Sequence, residues 1–253
     1  MGLAELLDVR PGVTAVIGGG GKTTLLRTLG EELAEAGYRV LLCTTTKILP
    51  FDGLPVLPAP TEASLAEALD TRRLACAGTP VPGTGKLAAP GIPMRKLAVL
   101  ADYVLAEADG AAGRPLKAHA SHEPVIPPEA RQLLYAVGAS GFGRPVREAV
   151  HRPEIFGLLT GLEPEDPVTP EAVAEALQKE ASAAWPPLRL FVNQAEDGAA
   201  IHAARRLAEL LPWPVCAGAL KRRYWICLSS SGEPGTLPLA QPSASGGRAS
   251  RWR

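Results

Sequence analysis

Residues 13–24 read Val-Thr-Ala-Val-Ile-Gly-Gly-Gly-Gly-Lys-Thr-Thr, a combination of glycines, an amine and hydroxyls that suits phosphate binding. Glycines let backbone N–H groups surround an anion, and a helix that begins after them adds the partial positive charge of its N-terminus. We expect Lys22 to reach the β- and γ-phosphates of a nucleotide and Thr23 to ligate Mg²⁺. The predicted cofactor-binding residues of this loop are Gly18, Gly19, Gly20, Gly21, Lys22, Thr23 and Thr24.

The loop departs from the common G-x-x-x-x-G-K-T spacing, since Val16 stands where the first glycine would fall. It fits G-G-x-G-K-T-T, a variant of metal-insertion and partitioning ATPases, although Ile17 stands where that variant usually has a lysine. The alternative is a glycine-rich turn that binds no ligand. Four consecutive glycines carry a large entropic cost unless something approaches the backbone closely. The sequence therefore favours phosphate binding.

Further polar residues follow an apolar run that is typical of a buried strand. Val40–Thr44 is followed by two hydroxyls and an amine, those of Thr45, Thr46 and Lys47. In parallel α/β sheets, ligands bind beyond the carboxyl ends of the strands. We therefore expect Thr45 and Thr46 to contact substrate and Lys47 to orient an attacking group. The alternative is a β-branched strand end with a solvated lysine.

Two acids, Glu107 and Asp109, end the apolar run that begins at Tyr103. This arrangement resembles a Walker B element, in which a carboxylate holds Mg²⁺ directly or through water. Side chains two residues apart on a strand face the same side, so one acid can bind metal while the other orients a water or substrate. We expect Asp109 to hold Mg²⁺ together with Thr23, and Glu107 to act in catalysis. The alternative is an acid that caps a turn.

The segment after these acids is dense in charged and imidazole side chains. We predict that it contacts substrate or phosphate through Arg114, Lys117, His122 and Glu123. Together with His119, the last two offer the side chains of a transition-metal site, but the spacing fits no standard one. Structural hydrogen bonding is the third interpretation.

A last candidate lies after the apolar run Leu188–Asn193. The sequence Asn193-Gln-Ala-Glu196 is similar to the N-K-x-D element of GTPases, with Gln194 in place of lysine and Glu196 in place of aspartate. We expect Asn193 and Glu196 to contact a nucleotide base, with the choice between ATP and GTP left open.

The elements that position these residues alternate between strand and helix. Short apolar runs predict strands at Val13–Ile17, Val40–Thr44, Tyr103–Glu107, Leu133–Val137, Leu188–Asn193 and Val215–Ala219. Helical spacing and capping residues predict helices at Thr23–Ala36, Glu62–Leu69, Glu171–Ala184 and about 199–211. The alternation predicts an α/β fold of the P-loop NTPase-like kind, a mostly parallel sheet with helices on both faces.

Composition sets the remaining expectations. Residues 48–60 and 76–93 are rich in Pro and Gly and predict loops, and 229–253 predict a disordered tail after a nucleotide-binding domain over 1–228. Basic and acidic residues balance at 26 each, so no net charge attracts nucleic acid or a membrane surface. The chain contains no apolar run long enough for a membrane span and no C-x-x-C pair. We therefore expect a cytoplasmic protein with neither nucleic acid nor membrane as partner.

Taken together, these motifs resemble the selenium-dependent (molybdenum) hydroxylase accessory proteins of the YqeC type. The motifs that carry the resemblance, over about residues 13–197, are Gly18–Thr24, Thr44-Thr45-Thr46-Lys47, Glu107-Ala-Asp-Gly110, Arg114-Pro-Leu-Lys117, His122-Glu-Pro-Val-Ile-Pro127, His151-Arg-Pro153 and the strand end at Asn193. The resemblance implies an accessory factor in the maturation of selenium-dependent molybdenum hydroxylases, with such an enzyme or its cofactor precursor as partner. It does not supply a reaction.

The residues themselves predict a Mg²⁺-dependent P-loop protein that binds ATP or GTP. Its reaction would be NTP hydrolysis or phosphoryl or nucleotidyl transfer, with Lys22, Lys47, Glu107 and Asp109 as the catalytic residues. One alternative is a nucleotide-gated cofactor chaperone with little turnover. Another is a small-molecule kinase or nucleotidyl transferase that acts on a cofactor precursor.

Overall fold

The computed structural model describes residues 1–51 and 53–228. Its helices are α1 Leu3–Leu6, α2 Lys22–Glu35, α3 Glu62–Arg72, α4 Met94–Leu100, α5 Val146–Ala149, α6 Pro153–Thr160, α7 Pro170–Glu180 and α8 Gly198–Leu210. Its strands are β1 Gly12–Gly18, β2 Val40–Thr44, β3 Val56–Pro58, β4 Leu74–Val81, β5 Lys86–Ala88, β6 Tyr103–Glu107, β7 Leu116–Lys117, β8 Ala130–Gly138, β9 Val150–His151, β10 Leu188–Asn193, β11 Val215–Ala219 and β12 Tyr224–Leu228.

One large sheet runs through the molecule in the order β12-β11-β10-β8-β1-β6-β2-β4-β3, with β5 paired to β4. Its pairs are parallel except for β11 with β12 and β4 with β5. The central strand β1 lies between β6 and β8, and Val16 pairs with Glu107. Because parallel strands end at the same edge, the glycine loop after β1 and the acids after β6 emerge side by side.

Both faces of the sheet are covered because its strands are apolar on both sides. On one face, Val16 and Leu105 pack with α1 and with Leu25 of α2. On the opposite face, Ile17 packs with Leu177 of α7 and other residues of α6 to α8. Helices α3 and α4 complete that second face beside β2, β4 and β6. The fold is α/β, with a mostly parallel sheet and helices on both faces, as the sequence predicts.

The strand predictions from the central sheet are confirmed. Strands β2, β6, β10 and β11 have the predicted bounds, and β1 and β8 extend slightly beyond theirs. The four predicted helices are present as α2, α3, α7 and α8, with shifted ends. The capping prediction holds at α3, where Thr61 accepts a hydrogen bond from the Ser64 N–H.

The loop predictions for 48–60 and 76–93 are wrong in part, because 48–60 contains the short strand β3 and 76–93 contains β5 and much of β4. Their prolines stand where no ladder donor is required. Pro58 is the last residue of the edge strand β3, and Pro80 lies in the part of β4 that pairs with β5 alone. The predicted tail, residues 229–253, lies outside the described residues, and the division at 228 stays a prediction.

Candidate functional site

The glycine loop between β1 and α2 is packed tightly against its neighbours. Gly20 has a φ of 73°, and a Cβ there would lie 2.2 Å from the backbone nitrogen of Gly138. A Cβ on Gly19 would lie 2.7 Å from the carbonyl oxygen of Pro115. The Gly20 N–H donates to the carbonyl of Arg114 at 3.1 Å. Neighbouring protein backbone therefore approaches these two positions so closely that only glycine, which has no Cβ, fits there.

Lys22 is buried and folds back over this loop. Its Nζ donates to the carbonyl of Gly18 at 2.7 Å. The same atom lies 3.0 Å from Oδ1 of Asp109 and 3.7 Å from Oε1 of Glu107. Both acids of the predicted Walker B element thus lie on the side that faces the loop lysine. Their other partners separate their roles.

Glu107 faces the start of α2. Its Oε2 accepts a hydrogen bond from the Thr23 hydroxyl at 3.2 Å, and its side chain lines a cavity in front of α2. Burial raises the pKa of Glu107 above its ordinary value, although the positive charge of Lys22 opposes the shift. The cavity therefore contains a hydroxyl and a carboxylate in contact, next to a buried cation.

Asp109 lies behind the loop, fully buried and outside the cavity lining. Its Oδ2 accepts the Gly18 N–H at 2.8 Å and lies 2.7 Å from Nε2 of His119. Burial on its own would raise the pKa of Asp109. The His119 hydrogen bond and the charges of Lys22 and Lys117 outweigh burial and hold that pKa well below its ordinary value. The expectation that Asp109 ligates Mg²⁺ beside Thr23 does not fit this placement, because its oxygens are directed to protein groups.

The buried partners of Asp109 continue to α7. Nδ1 of His119 lies 2.7 Å from Oε2 of Glu180, so each ring nitrogen faces a carboxylate. Burial alone would lower the pKa of His119, but these two carboxylates raise it. Lys117 is also buried, 3.4 Å from Asp109 and 3.0 Å from Glu123. We call Asp109, Lys117, His119 and Glu180 the buried charge cluster.

A cavity of about 930 Å³ opens in front of α2. Its lining includes the following residues: Gly20, Gly21, Lys22, Thr23, Thr24, Lys47, Ile48, Leu49, Lys86, Glu107, Gly110, Ala111, Ala112, Gly113, Arg114, Pro115, Glu123, Ser140, Arg144, His151, Asn193, Gln194, Glu196, Leu220 and Lys221. This volume is near the upper end of the ~300–1,000 Å³ range of small-molecule sites. The carboxyl ends of the central strands thus enclose a site of ligand size.

A family model described as YqeC protein matches residues 14–154, which is more than half of the chain. The chain belongs to the YqeC family. A relative from Escherichia coli (strain K12), named "Uncharacterized protein YqeC", is 37% identical over 164 residues. That match covers 62% of this chain and 63% of the relative, so the chain spans less than two thirds of the relative's length.

Two crystal structures of FtsY from Mycoplasma mycoides are also similar to this YqeC-family chain. They have TM-scores of 0.43 and 0.38 and sequence identities of 13% and 12%. The matches cover 88% and 84% of this chain and 66% and 62% of the FtsY chains.

The YqeC family match at 14–154 includes the glycine loop, Glu107 and the buried Asp109. It ends before Asn193.

Several of the site residues that were predicted from the sequence line the cavity. They are Gly20, Gly21, Lys22, Thr23, Thr24, Lys47, Glu107, Arg114, Glu123, Asn193 and Glu196. Other predicted residues do not line it: Gly18, Gly19, Thr45, Thr46, Asp109, Lys117 and His122.

Physical reasons separate these two groups. The Thr45 hydroxyl donates to the carbonyl of Val125, and the Thr46 N–H donates to the Thr44 hydroxyl. His122 is exposed and lies away from the cavity. Among residues 1–51 and 53–228, no group of three or more His, Cys, Asp or Glu side chains is arranged to hold a metal ion.

Asn193 braces the glycine loop. Its Nδ2 donates to the carbonyl of Gly20 at 2.8 Å, and its Oδ1 accepts the Leu220 N–H at 3.1 Å. Both polar atoms of its amide therefore have protein partners, so its observed contacts position the loop. Glu196 lies at the cavity rim, 2.8 Å from Arg222. Of the two residues predicted to contact a base, Asn193 is thus bonded to the protein backbone, whereas Glu196 pairs with an arginine side chain at the rim.

Several residues that line the cavity were not predicted as site residues from the sequence. Lys86, Arg144 and Lys221 line the cavity, yet none belongs to a motif. Lys86 lies on β5 in a stretch with the composition of a loop, and Glu180 of the buried charge cluster is 61 residues from its partner His119. No local pattern signals such contacts. In the part of the chain that is described, no helix has the length and apolarity to cross a membrane.

Proposed function

We propose that this YqeC-family chain binds a nucleoside triphosphate in the cavity, with the phosphates at the N-terminus of α2. The observation that carries the proposal is the 3.2 Å contact beside Lys22 between Thr23, at the start of α2, and Glu107, at the end of β6. The first backbone N–H groups of a helix have no intrahelical acceptor and are available to an anion. Gly20 and Gly21, which precede α2, line the cavity beside these donors.

The donor set fits Mg²⁺, a hard cation that prefers oxygen ligands. The Thr23 hydroxyl and the Glu107 carboxylate would hold the ion, and the ion when bound would neutralise phosphate charge. This assignment moves the metal-binding role from Asp109 to Glu107. Asp109 instead holds Lys22 in place through their 3.0 Å ion pair.

The reaction that we propose is NTP hydrolysis or nucleotide-dependent transfer of a phosphoryl or nucleotidyl group. Lys47 lines the cavity and would orient the attacking group or stabilise phosphate charge. The nucleotide is ATP or GTP, and Glu196 at the rim is the side chain placed to contact the base. The family resemblance supports a cytoplasmic role as accessory factor in the maturation of selenium-dependent molybdenum hydroxylases.

The test is a titration with fluorescent ATP and GTP analogues, with and without Mg²⁺. We expect Mg²⁺ to tighten binding by the wild type, and Thr23→Ala to remove most of this gain, about tenfold in affinity. Thr23 is exposed, so the change should leave folding intact. Thr28→Ala is the matched control, because Thr28 is a threonine of the same helix that does not line the cavity. Absence of binding to either nucleotide, or identical behaviour of the two variants, would refute the proposal.

The accessory role has its own experiment. We expect this protein and a molybdenum hydroxylase subunit to co-elute in size-exclusion chromatography only when Mg²⁺ and nucleotide are present. Mixtures with Thr23→Ala should elute as separate proteins. Separate elution of the wild type under all conditions would reject the partner while leaving nucleotide binding intact.

A further inference from the structure

Two arginines on one wall of the cavity are held by the same residue. Arg114 donates through Nη1 to the carbonyl of Glu148, and Arg144 lies 3.3 Å from the Glu148 carboxylate. Both arginines line the cavity. Glu148 belongs to α5 and lies within the segment 140–151, which also contributes Ser140 and His151 to the lining. We call Arg114, Ser140, Arg144 and His151 the arginine wall.

The arginine wall is fixed to the glycine loop. The carbonyl of Arg114 accepts the Gly20 N–H at 3.1 Å, and the carbonyl of Pro115 accepts the Gly138 N–H at 2.8 Å. On its other side, the pairing of Lys117 with His151 joins β7 to β9. Two regions far apart in sequence thus present guanidinium, hydroxyl and imidazole groups to the same space as the start of α2.

The cavity carries a positive excess that its own acids do not neutralise. Its acids already have cationic partners: Glu107 lies 3.7 Å from Lys22 and Glu196 lies 2.8 Å from Arg222. Glu123 lies 3.0 Å from Lys117. Besides Lys22, the cationic lining residues are Lys47, Lys86, Arg114, Arg144 and Lys221, of which Arg144 pairs with Glu148, in a chain whose formal net charge is zero. Positive charge is therefore concentrated where an anionic ligand would lie.

We propose that the arginine wall binds an oxyanion group, phosphate or carboxylate, of a second small molecule that occupies the cavity together with the nucleotide. Guanidinium groups suit this ligand because their N–H donors match two oxygens of a carboxylate or phosphate. The hydroxyl of Ser140 and the imidazole of His151 add hydrogen-bonding groups beside them. The inference deepens the proposed function, since a second anionic molecule in the cavity is the acceptor that a transferase requires.

The competing interpretation assigns the arginines to the nucleotide phosphates themselves. The two interpretations differ in one measurable respect. A separate subsite binds an oxyanion while nucleotide is present, whereas arginines that hold nucleotide phosphates lose that capacity when nucleotide binds.

The experiment uses inorganic phosphate and acetate as probes, in calorimetric titrations of full-length protein with and without a saturating non-hydrolysable nucleotide and Mg²⁺. We expect one probe to bind with nucleotide present, phosphate for a phosphorylated ligand and acetate for a carboxylate. Arg144→Gln should weaken that probe about tenfold and leave nucleotide affinity within about twofold. Arg147→Gln is the matched control, since Arg147 lies three residues after Arg144, pairs with Glu165 and does not line the cavity.

The inference is overturned if neither probe binds, if nucleotide displaces the probe, or if the two arginine variants behave alike. Loss of nucleotide affinity in Arg144→Gln also overturns it, because the arginine then serves the nucleotide. Failure of the proposed function gives a different pattern. In that case nucleotide does not bind, while probe binding still depends on Arg144 and is unchanged in Thr23→Ala.

Discussion

The charged side chains behind the glycine loop and those in front of it differ in how completely they are paired. Behind the loop, Asp109 contacts a backbone N–H, an imidazole and two lysines, and all of them are buried. In front of it, Lys47 and Lys86 line an open cavity and have no ion-pair partner among the residues described. An unpaired buried charge is costly, whereas an exposed one is solvated. The first set therefore fixes the loop, and the second is available to a ligand.

The largest expected effect comes from breaking the buried charge cluster. Asp109→Asn would leave Lys22, Lys117 and His119 without their shared carboxylate. Removal of one partner from a buried ion pair typically costs about 3–5 kcal/mol. We expect a loss of that size in the free energy of unfolding, measured by urea denaturation at pH 7.

The matched control for this substitution is Asp8→Asn. Asp8 forms ion pairs with Arg10 and Arg189 near the surface, with 43% of its side chain exposed. Exposed pairs contribute about 0–1 kcal/mol. Equal losses in the two variants would remove the distinction between the buried charge cluster and ordinary surface pairs.

The second effect separates Glu107 from Asp109, the two acids of the predicted Walker B element. Glu107→Gln keeps the hydrogen-bonding shape beside Thr23 and removes the charge that would attract Mg²⁺. We expect the Mg²⁺-dependent gain in nucleotide affinity to fall about tenfold. Unfolding stability should change far less than in Asp109→Asn, because burial already opposes ionisation of Glu107.

Glu196→Gln provides the comparison for this measurement. Glu196 also lines the cavity, but its carboxylate pairs with Arg222 at the rim. We expect this variant to keep its dependence on Mg²⁺. A Glu107→Gln variant that binds Mg²⁺-nucleotide as tightly as the wild type would return the metal-binding role to another residue.

The distinction between these two acids shows how far the sequence can predict the site. The glycine loop, β6 and the position of Glu107 follow from local patterns, and the structure has them where the patterns predict. The contacts of Asp109 do not follow, because its partner His119 is held by Glu180, which α7 brings to His119 from 61 residues away. Likewise, Lys86 lies on a strand whose composition is that of a loop. Local pattern predicted the central strands and missed contacts made by tertiary packing.

The third effect is the dependence of unfolding stability on pH. We expect its sign to differ between His119, behind the glycine loop, and His151, in the cavity. The pKa of His119 is raised by its two carboxylate partners, although burial opposes this. Its contribution to stability is therefore complete below its ordinary pKa of 6.5 and is lost as pH rises through the higher folded-state value. We expect the difference in unfolding free energy between wild type and His119→Gln to shrink from pH 6 to pH 9 in urea titrations.

His151 in the cavity provides the opposite case. Burial and the charges of Lys117 and Arg152 lower its pKa below 6.5. Its contribution is therefore present above that ordinary value and is lost as pH falls through the lower folded-state pKa. The difference between wild type and His151→Gln should shrink from pH 7 to pH 5. Differences that change in the same direction for both histidines would contradict the assigned environments.

The smallest effect tests the unpaired cations in front of the loop. Lys86→Gln removes one positive charge from the cavity lining without breaking any ion pair in residues 1–51 and 53–228. We expect nucleotide affinity to fall about twofold at low salt, with no change in unfolding stability. Lys96→Gln is the control, because Lys96 pairs with Glu62 and does not line the cavity.

A change in ionic strength then shows whether Lys86 attracts the nucleotide from a distance or contacts it directly. At about 1 M salt the Debye length falls to about 3 Å, so attraction by a distant charge is screened. The difference between Lys86→Gln and the wild type should then disappear in the same fluorescence titration. A difference that persists at high salt would mean that Lys86 contacts the nucleotide directly, because screening acts far less on groups in contact than on charges separated by solvent.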